Sequence, residues 1–445
     1  MNWFSRWTKK SPDALEEEGR FLRPAVHDAS GARTRARDKG RHPHFKVLAT
    51  DQLHHGRGDE LERARAKLRD AFTPSQPVSN IAMFAGRGAI LTRLIRAIED
   101  QQLHVVIYGE RGIGKTSLLR VVSGLADEAK YIVCYTSCGE GSSFSDMFRS
   151  IAGSIPLLFH SGYDPTQAEI ESGRTMADLF PPGEVTPHQI SELFARLSAT
   201  RVLIILDEFD RSPSGAFRRM MAELIKNLSD RSTRVQIVVA GVAGNLSELV
   251  EHIPSIRRNI LGLQVPNMTA EEVGELIGLG SASCGLDYRD DAIDLVAHVS
   301  GGLPYIASLL SQHAGIAALD RQATMVERSD VAYALDLATE ETRQRLSERS
   351  LRLIQRIHDQ GRRAALIALA DHALHHAGAI ELDASQIELA AAIETGLKGG
   401  LLEPVGDEIG ERFRFVEEGV PVYLWMQFVD ESLKGGRSTA FAKAR

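Results

Sequence analysis

Residues 109–116 read GERGIGKT, directly after the apolar run HVVIY at residues 104–108 and directly before SLLRVVSGL at residues 117–125. Glycines lack side chains, so the backbone between a strand and a helix can curl with its N–H groups facing inward. The positive end of the dipole of the following helix adds to the positive potential of these N–H groups. The pattern predicts a phosphate-binding loop in which Lys115 reaches the β and γ phosphates of a nucleotide and Thr116 coordinates magnesium. The residues expected to form it are Gly109, Glu110, Arg111, Gly112, Ile113, Gly114, Lys115, Thr116 and Ser117.

Two adjacent acids follow another apolar run, in RVLIILDEFD at residues 201–210. A buried strand that ends at Asp207 brings a carboxylate to the edge of a sheet, where it can hold the magnesium ion through its water shell. Glu208 points differently and can orient and polarise the water that attacks the γ phosphate. Together with the loop, the two acids favour ATP hydrolysis over ATP binding alone. Asp210 is interpreted as a helix cap or a surface charge.

Composition limits the other classes of function. The 445 residues carry a formal net charge of -7, so the protein as a whole does not attract nucleic acid electrostatically. Any contact with nucleic acid would have to be local. Three cysteines cannot form a disulfide framework, and a reducing cytoplasm fits that count. The apolar runs are much shorter than the about 18 residues that a membrane span requires. The sequence therefore predicts a cytoplasmic protein without a transmembrane segment.

The order of patterns predicts an α/β fold with several domains. Residues 1–76 form a charged, partly disordered leader with one helix, and the P-loop core occupies residues 77–267. Apolar strands alternate there with amphipathic helices, which indicates a parallel sheet of about five strands covered by helices. A helical lid follows at residues 268–340. Three helices and two short strands at residues 341–435 indicate a winged-helix domain, and residues 436–445 form a tail.

These residues carry a family resemblance over about residues 84–337. The loop, LDEFD and the strand VQIVVAG resemble the Walker A, Walker B and sensor-1 elements of AAA+ and related STAND ATPases, and most of all the origin-recognition-type branch. The resemblance implies a P-loop NTPase sheet of the ASCE/AAA+ type that binds ATP and Mg²⁺. It also implies that Arg87, in FAGR, lies beside the adenine. Asn245 is the sensor-1 candidate, with a helix cap as the equal alternative, because Gly241 stands where a polar residue is expected.

Two further elements follow from the resemblance. SIRRNI at residues 255–260 lies where AAA+ proteins carry an arginine finger, so Arg257 and Arg258 are candidates to neutralise phosphoryl charge in a neighbouring subunit, and a surface pair is the alternative. SGGLPYIASLL at residues 300–310 resembles the glycine-proline element of the lid, which places Pro304 at the nucleotide. Related ATPases often carry arginine directly after this proline, and here the residue is Tyr305.

Three hypotheses for the function remain open. The first is an ATP-hydrolysing switch that forms a homo-oligomer with ATP and recruits or remodels a protein partner. The second is a DNA-associated initiator or transposition-type ATPase that contacts duplex through the winged helix, Arg362, Arg363 or the basic leader. The third is a nucleotide-binding scaffold with negligible turnover. Acidic residues in the winged-helix region, Glu388 and Glu394 among them, favour a protein partner over DNA.

Overall fold

A computed structural model of the chain describes residues 60–164, 166, 173–211, 215–231, 233–243, 258–376, 378, 380–381, 387–405 and 412–435. Within these ranges the strands of the central sheet are β1 (His104–Gly109), β2 (Ile132–Ser137), β3 (Val202–Asp207), β4 (Val235–Val242) and β5 (Ile260–Gln264). They are all parallel and lie in the order β2-β3-β4-β1-β5. The predicted five-stranded parallel sheet is therefore confirmed.

Helices cover this sheet and extend beyond it on the carboxyl-terminal side. Some begin at residues that the sequence marks clearly: Thr186 and Thr269 each form a capping box with the residue three positions later, and Pro187 and Pro304 lie in first turns. The described α-helices are α1 (Glu60–Ala71), α2 (Gly88–Glu99), α3 (Lys115–Glu128), α4 (Phe144–Gly153), α5 (Pro187–Phe194), α6 (Gly215–Asp230), α7 (Ala270–Cys284), α8 (Asp290–Ser300), α9 (Pro304–Asp320), α10 (Arg328–Arg345), α11 (Glu348–Asp359), α12 (Arg363–His375), α13 (Ile387–Gly399) and α14 (Gly419–Lys434).

The two faces of the sheet bury different cores. Val105 and Ile107 of β1 point into a core that continues into the helices of the lid, whereas Val106 between them points into the core beneath helices α4 to α6. This alternation is the period of two that any strand imposes on its side chains. Because both faces are covered, the strands read as continuous apolar runs. The carboxyl-terminal edge of the sheet, where the loops begin, is where Asp207 ends its strand.

Helix α1 packs against the lid. Phe72, which follows α1 directly, is 1% exposed and lies against Gly280 of α7, and its ring contacts that of Tyr288 edge-on at a centroid distance of 5.9 Å. Leu68 lies against Gly315 of α9 in the same way. The helix predicted within the leader therefore completes the core of the lid. Short parallel strands β6 (Asp287–Tyr288) and β7 (Met325–Val326), which the sequence analysis did not predict, also belong to the lid.

The carboxyl-terminal domain contains α11 to α14 and a small antiparallel sheet. Its strands β8 (Ile380–Glu381), β9 (Leu402–Pro404) and β10 (Arg412–Phe415) lie in the order β8-β10-β9. The three helices and the two later strands agree with the predicted elements, while β8 and α14 are additional. The assignment of this domain as a winged helix stays a prediction. Among the described residues, no helix combines the length and the apolar character needed to cross a membrane.

Candidate functional site

The glycine loop lies between β1 and α3 and depends on three left-handed or otherwise positive backbone angles. Gly109, Gly112 and Gly114 have φ values of 150°, 77° and 94°. A Cβ at position 109 would lie 2.8 Å from the backbone oxygen of Val265, which is too close for any side chain. Only glycine fits there without moving the neighbouring backbone. The sequence therefore folds into a loop whose amide groups lie at the amino terminus of α3, as the phosphate-binding interpretation requires.

Lys115 is the cation of this loop, and it is buried. Its ammonium group donates hydrogen bonds to the backbone oxygens of Gly109 at 2.8 Å and Glu110 at 2.6 Å. Burial lowers the pKa of Lys115 to about 8, although the acids around it, Asp210 first, oppose that shift. A lysine held by carbonyl groups in a dry site can exchange those weak partners for phosphate oxygens, which are much stronger acceptors.

Asp207 and Thr116 come together at the carboxyl end of β3. The Thr116 hydroxyl donates to Asp207 Oδ2 at 2.9 Å, and the Tyr135 hydroxyl donates to the same oxygen at 2.7 Å. The backbone N–H of Glu208 donates to the other oxygen, Oδ1, at 2.9 Å. A hydroxyl and a carboxylate side by side are oxygen ligands of the kind that Mg²⁺ takes, and one carboxylate with several waters is its usual protein set. The donors present therefore fit the ion that the sequence predicts.

Glu208 adopts an unusual backbone conformation for a residue with a long side chain. Its φ is 53°, in the left-handed region, and its exposed carboxylate forms an ion pair with Arg211 at 3.1 Å. The predicted role of Glu208 toward an attacking water stays a prediction. A carboxylate in this position can accept a proton from water once it leaves Arg211, whereas Asp207 is fixed by its three donors.

Arg87 lies behind the loop and is only 5% exposed. One of its nitrogens, Nη2, is 3.5 Å from the backbone oxygen of Ile113, and burial lowers the pKa of the guanidinium group. The other, Nη1, is buried and has no hydrogen-bond partner among the described residues. Because a buried guanidinium nitrogen without an acceptor is costly, a ligand atom is the natural partner. The contact of Arg87 with a nucleotide stays a prediction.

The first turn of α9 closes over the same loop. A Cβ at Gly114 would lie 3.9 Å from Cγ of Pro304, and one at Gly112 would lie 3.7 Å from Cβ of Tyr305. The hydroxyl of Tyr305 accepts a hydrogen bond from Arg345 at the end of α10. The lid thus places Pro304 and Tyr305 against the phosphate loop, and Arg345 binds the hydroxyl of that tyrosine.

The remaining predicted residues divide into three groups. The Ile113 side chain is buried in the core and the Ser117 hydroxyl accepts the Val78 N–H at 3.1 Å, so both act within the fold. Arg111 and Arg258 are exposed. Asn245 and Arg257 lie outside the described residues, and their predicted roles stay predictions.

Two contacts at the site were missed by the sequence analysis. Tyr135 lies on β2, beside β3 in the sheet, and only the strand order brings its hydroxyl to Asp207. Asp210 accepts the backbone N–H of Val242 at 2.8 Å and so ties the turn after β3 to the end of β4. It caps the end of a neighbouring strand instead of a helix or the surface, and no local pattern marks that role.

Comparison with known proteins gives one family match and several similar solved structures. A family described as an AAA domain matches residues 98–250, which include the loop, β3 and β4. A search of curated proteins finds no significant match. Similar solved structures include Orc1 of Aeropyrum pernix in complex with DNA, with 17% identity and a TM-score of 0.44 over 83% of this chain and 97% of that one. A Walker-type ATPase of Pyrococcus abyssi has 14% identity and a TM-score of 0.47, over 79% and 98% of the two chains. The RuvB Holliday junction branch migration motor of Thermotoga maritima has 16% identity and a TM-score of 0.41, over 76% and 95%.

The family match covers the glycine loop, β3 and β4, whereas Arg87 and the first turn of α9 lie outside it, and the parallel sheet is of the kind that the resemblance implied. The glycine loop, its lysine and the facing aspartate lie together at one edge of that sheet. Residues 98–250 therefore match an AAA domain, and the glycine loop, β3 and β4 lie within that match.

Proposed function

We propose that this chain binds ATP with Mg²⁺ at the loop Gly109–Thr116, hydrolyses it to ADP and phosphate, and uses the cycle as a switch that recruits or remodels a protein partner. The observation that carries this proposal is the hydrogen bond of 2.9 Å between the Thr116 hydroxyl and Asp207, beside the buried Lys115. Two adjacent residues of α3 and the last residue of β3 supply a cation and two oxygen ligands at one point. A structural role alone does not require Lys115 and Asp207 to be buried there.

Each side chain has a distinct part in this reaction. Lys115 leaves the carbonyl groups of the loop and binds phosphate oxygens, while Thr116 and Asp207 would hold the magnesium ion. When bound, that ion neutralises charge on the β and γ phosphates. Tyr135 fixes the orientation of the Asp207 carboxylate through its hydroxyl. Glu208, released from Arg211, orients the attacking water and accepts its proton.

Assembly is part of the proposal because of where Arg258 lies. The backbone oxygen of the next residue, Asn259, accepts the N–H of His104, the first residue of β1. Arg258 therefore lies at the amino-terminal edge of the sheet, whereas the phosphate loop follows the other edge. A six-residue strand is about 20 Å long, so Arg258 cannot reach its own loop. If it acts as an arginine finger, it acts on the nucleotide of a neighbouring subunit.

The described residues give less support to the DNA-binding alternative. Arg362 donates to the Thr395 hydroxyl and to the backbone oxygen of Ala391, and Arg363 forms an ion pair with Glu431. Both guanidinium groups therefore already have partners within the carboxyl-terminal domain. Binding of duplex DNA that weakens steeply with added salt in the presence of ATP would favour this alternative over a protein partner.

The site is tested with two substitutions and two matched controls. Lys115→Ala should abolish nucleotide binding, whereas Glu208→Gln should keep ATP bound and prolong any assembled state. Lys226→Ala and Glu223→Gln, both exposed on α6, remove the same chemical groups away from the site and should behave as the unsubstituted protein. Nucleotide retention, phosphate release and mass in solution are measured for all four. Equal retention by Lys115→Ala and Lys226→Ala would refute the assigned site.

The finger is tested by mixing subunits. Arg258→Ala and Glu208→Gln should each be inactive if the two groups serve one composite site. A mixture of the two then regains turnover, because some interfaces combine an intact Glu208 with an intact Arg258. A mixture no more active than its components, with Arg258→Ala alone fully active, would exclude Arg258 from the reaction.

A further inference from the structure

A cavity lies between four helices where the lid meets the carboxyl-terminal domain. Its volume is about 340 Å³, and its walls come from the last turn of α10 and from α11, α12 and α14. Pockets that bind small molecules typically have volumes of about 300–1,000 Å³. None of the residues that line this cavity belongs to the phosphate loop. The cavity is therefore large enough for a small organic molecule and separate from the site described above.

The floor of this cavity is apolar. Ile354, Leu366 and Leu424 line it, and all three are buried in the core of the carboxyl-terminal domain. Packing within that core fixes their positions. Leu351 and Ile367, which are half-buried, also line the cavity. An apolar group that binds against these side chains leaves water, and this transfer favours binding.

The rim of the cavity is charged and polar. Arg343, Gln355, His358 and Glu431 are exposed there, and Arg363 is half-buried. Two guanidinium groups and one carboxylate therefore line the cavity. A few polar groups beside an apolar floor are the usual composition of a pocket that fixes the orientation of a small ligand.

Arg343 is the guanidinium group that can bind a ligand. Arg363 already forms an ion pair with Glu431. Arg343 lies 3.6 Å from Glu340 on the same helix, and the two side chains are 47% and 54% exposed. Because an exposed ion pair of this kind contributes little, Arg343 can exchange Glu340 for the carboxylate of a ligand. A planar guanidinium group binds a carboxylate through two parallel hydrogen bonds.

Tyr423 supplies a second donor. This residue lines the cavity from α14 and is itself buried. Burial raises the pKa of the Tyr423 hydroxyl, and the acids Glu340 and Glu431 raise it further. Arg343 and Arg363 oppose the shift, so the hydroxyl lies within electrostatic reach of both guanidinium groups. The hydroxyl therefore stays protonated at neutral pH and can donate a hydrogen bond to an anion beside Arg343.

We propose that this cavity binds a small organic anion, a monocarboxylate with a short apolar chain, whose carboxylate is held by Arg343 and Tyr423 and whose chain lies against Ile354, Leu366 and Leu424. An amine of the same length would bring its positive charge to Arg343 and is repelled. An alcohol keeps the apolar contacts but loses the hydrogen bonds between charged groups. The inference does not depend on the nucleotide site proposed above.

The test compares three probes of the same length on the full chain: hexanoate, 1-hexanol and hexylamine. In isothermal titration calorimetry, hexanoate should bind at least about tenfold more tightly than the other two, because only its carboxylate forms charged hydrogen bonds. Arg343→Gln should weaken hexanoate binding about tenfold. Arg356→Gln is the matched control, since it removes an exposed guanidinium group of α11 that does not line the cavity, and it should bind hexanoate as the unsubstituted protein does.

Two further substitutions test the location of the ligand. Tyr423→Phe keeps the buried ring and should weaken hexanoate binding by several-fold. Ile367→Trp should fill the cavity and abolish binding, whereas Ala368→Trp, at the exposed residue next to it, should not. Circular dichroism verifies that each variant is folded, and Arg343→Gln changes only an exposed side chain.

Three results would overturn the proposal. The first is binding of 1-hexanol or hexylamine as tight as that of hexanoate, which would show that the carboxylate is not recognised. The second is hexanoate binding that neither Arg343→Gln nor Ile367→Trp weakens, which would place the ligand elsewhere. The third is the absence of hexanoate binding at concentrations up to about 10 mM.

Discussion

Two glycines of one helix give opposite predictions for the same substitution. Gly278 and Gly280 both lie within α7, where glycine costs about 1 kcal/mol relative to alanine. A Cβ at Gly278 meets nothing within 4 Å, but one at Gly280 would lie 2.2 Å from the ring of Phe72, which is fully enclosed. Gly278→Ala should therefore raise the free energy of unfolding by up to about 1 kcal/mol. Gly280→Ala gains the same helix propensity but overpacks the site, at a cost of about 1–3 kcal/mol.

The assay is urea denaturation followed by far-UV circular dichroism, with the two variants compared under identical conditions. The midpoint should rise for Gly278→Ala and stay level or fall for Gly280→Ala. A smaller side chain at position 72 relieves the clash with the new methyl group at position 280, so Phe72→Leu should cost less stability in the Gly280→Ala protein than in the unsubstituted one. Equal stabilisation by both alanine substitutions, with no coupling to Phe72, would show that α1 does not pack on the lid and would refute this account.

Three further predictions concern the sheet and its edge. His104 accepts the Ile237 N–H at 2.9 Å, and burial lowers the pKa of His104 from 6.5 to about 4, so the folded state binds fewer protons than the unfolded state. The free energy of unfolding should therefore fall by up to about 3 kcal/mol as the pH drops from 6.5 to 4. Denaturation at each pH measures this loss, which should be smaller in His104→Asn. Tyr135→Phe removes a hydrogen bond to a carboxylate and should cost about 1–2 kcal/mol, with weaker Mg²⁺ dependence of nucleotide retention; unchanged stability would exclude the contact with Asp207. Gly302 has a φ of 78°, and a Cβ there would lie 2.2 Å from the backbone oxygen of Met268, whereas a Cβ at Gly361, with a φ of 73°, meets nothing within 4 Å. Gly302→Ala should therefore lower the thermal midpoint far more than Gly361→Ala. An equal shift would contradict the close approach of Gly302 to Met268.

The parts of the fold that follow from local patterns could be predicted from the sequence. Apolar runs identify the strands, and Thr186, Thr269 and Pro304 mark helix starts through capping and first-turn chemistry that involves only neighbouring residues. The glycine loop is predictable for the same reason, since its function depends on eight consecutive residues. By contrast, β8 and the two lid strands are each two residues long, which is too short to show the alternating pattern that identifies a strand.

Contacts between distant residues could not be predicted in this way. The carboxylate of Asp207 is recognisable after its strand, but the tyrosine that binds it comes from β2, and nothing in the local sequence states that β2 and β3 are neighbours. The close approach of Gly378 to Glu110 likewise joins residues that are far apart along the chain. Helix α14 was missed although its sequence is apolar on one side, because a winged-helix pattern is complete without it.

The backbone of Glu208 has a consequence for attempts to make this protein more heat-resistant. A residue other than glycine or asparagine at a φ of 53° is held against its own preference, at a cost of about 1 kcal/mol. Glycine or asparagine at this position would relieve that strain, and both would delete the carboxylate. Selection for thermostability and selection for ATP turnover should therefore favour different residues at position 208. A library screened for thermostability alone should be enriched in variants that are stable but inactive.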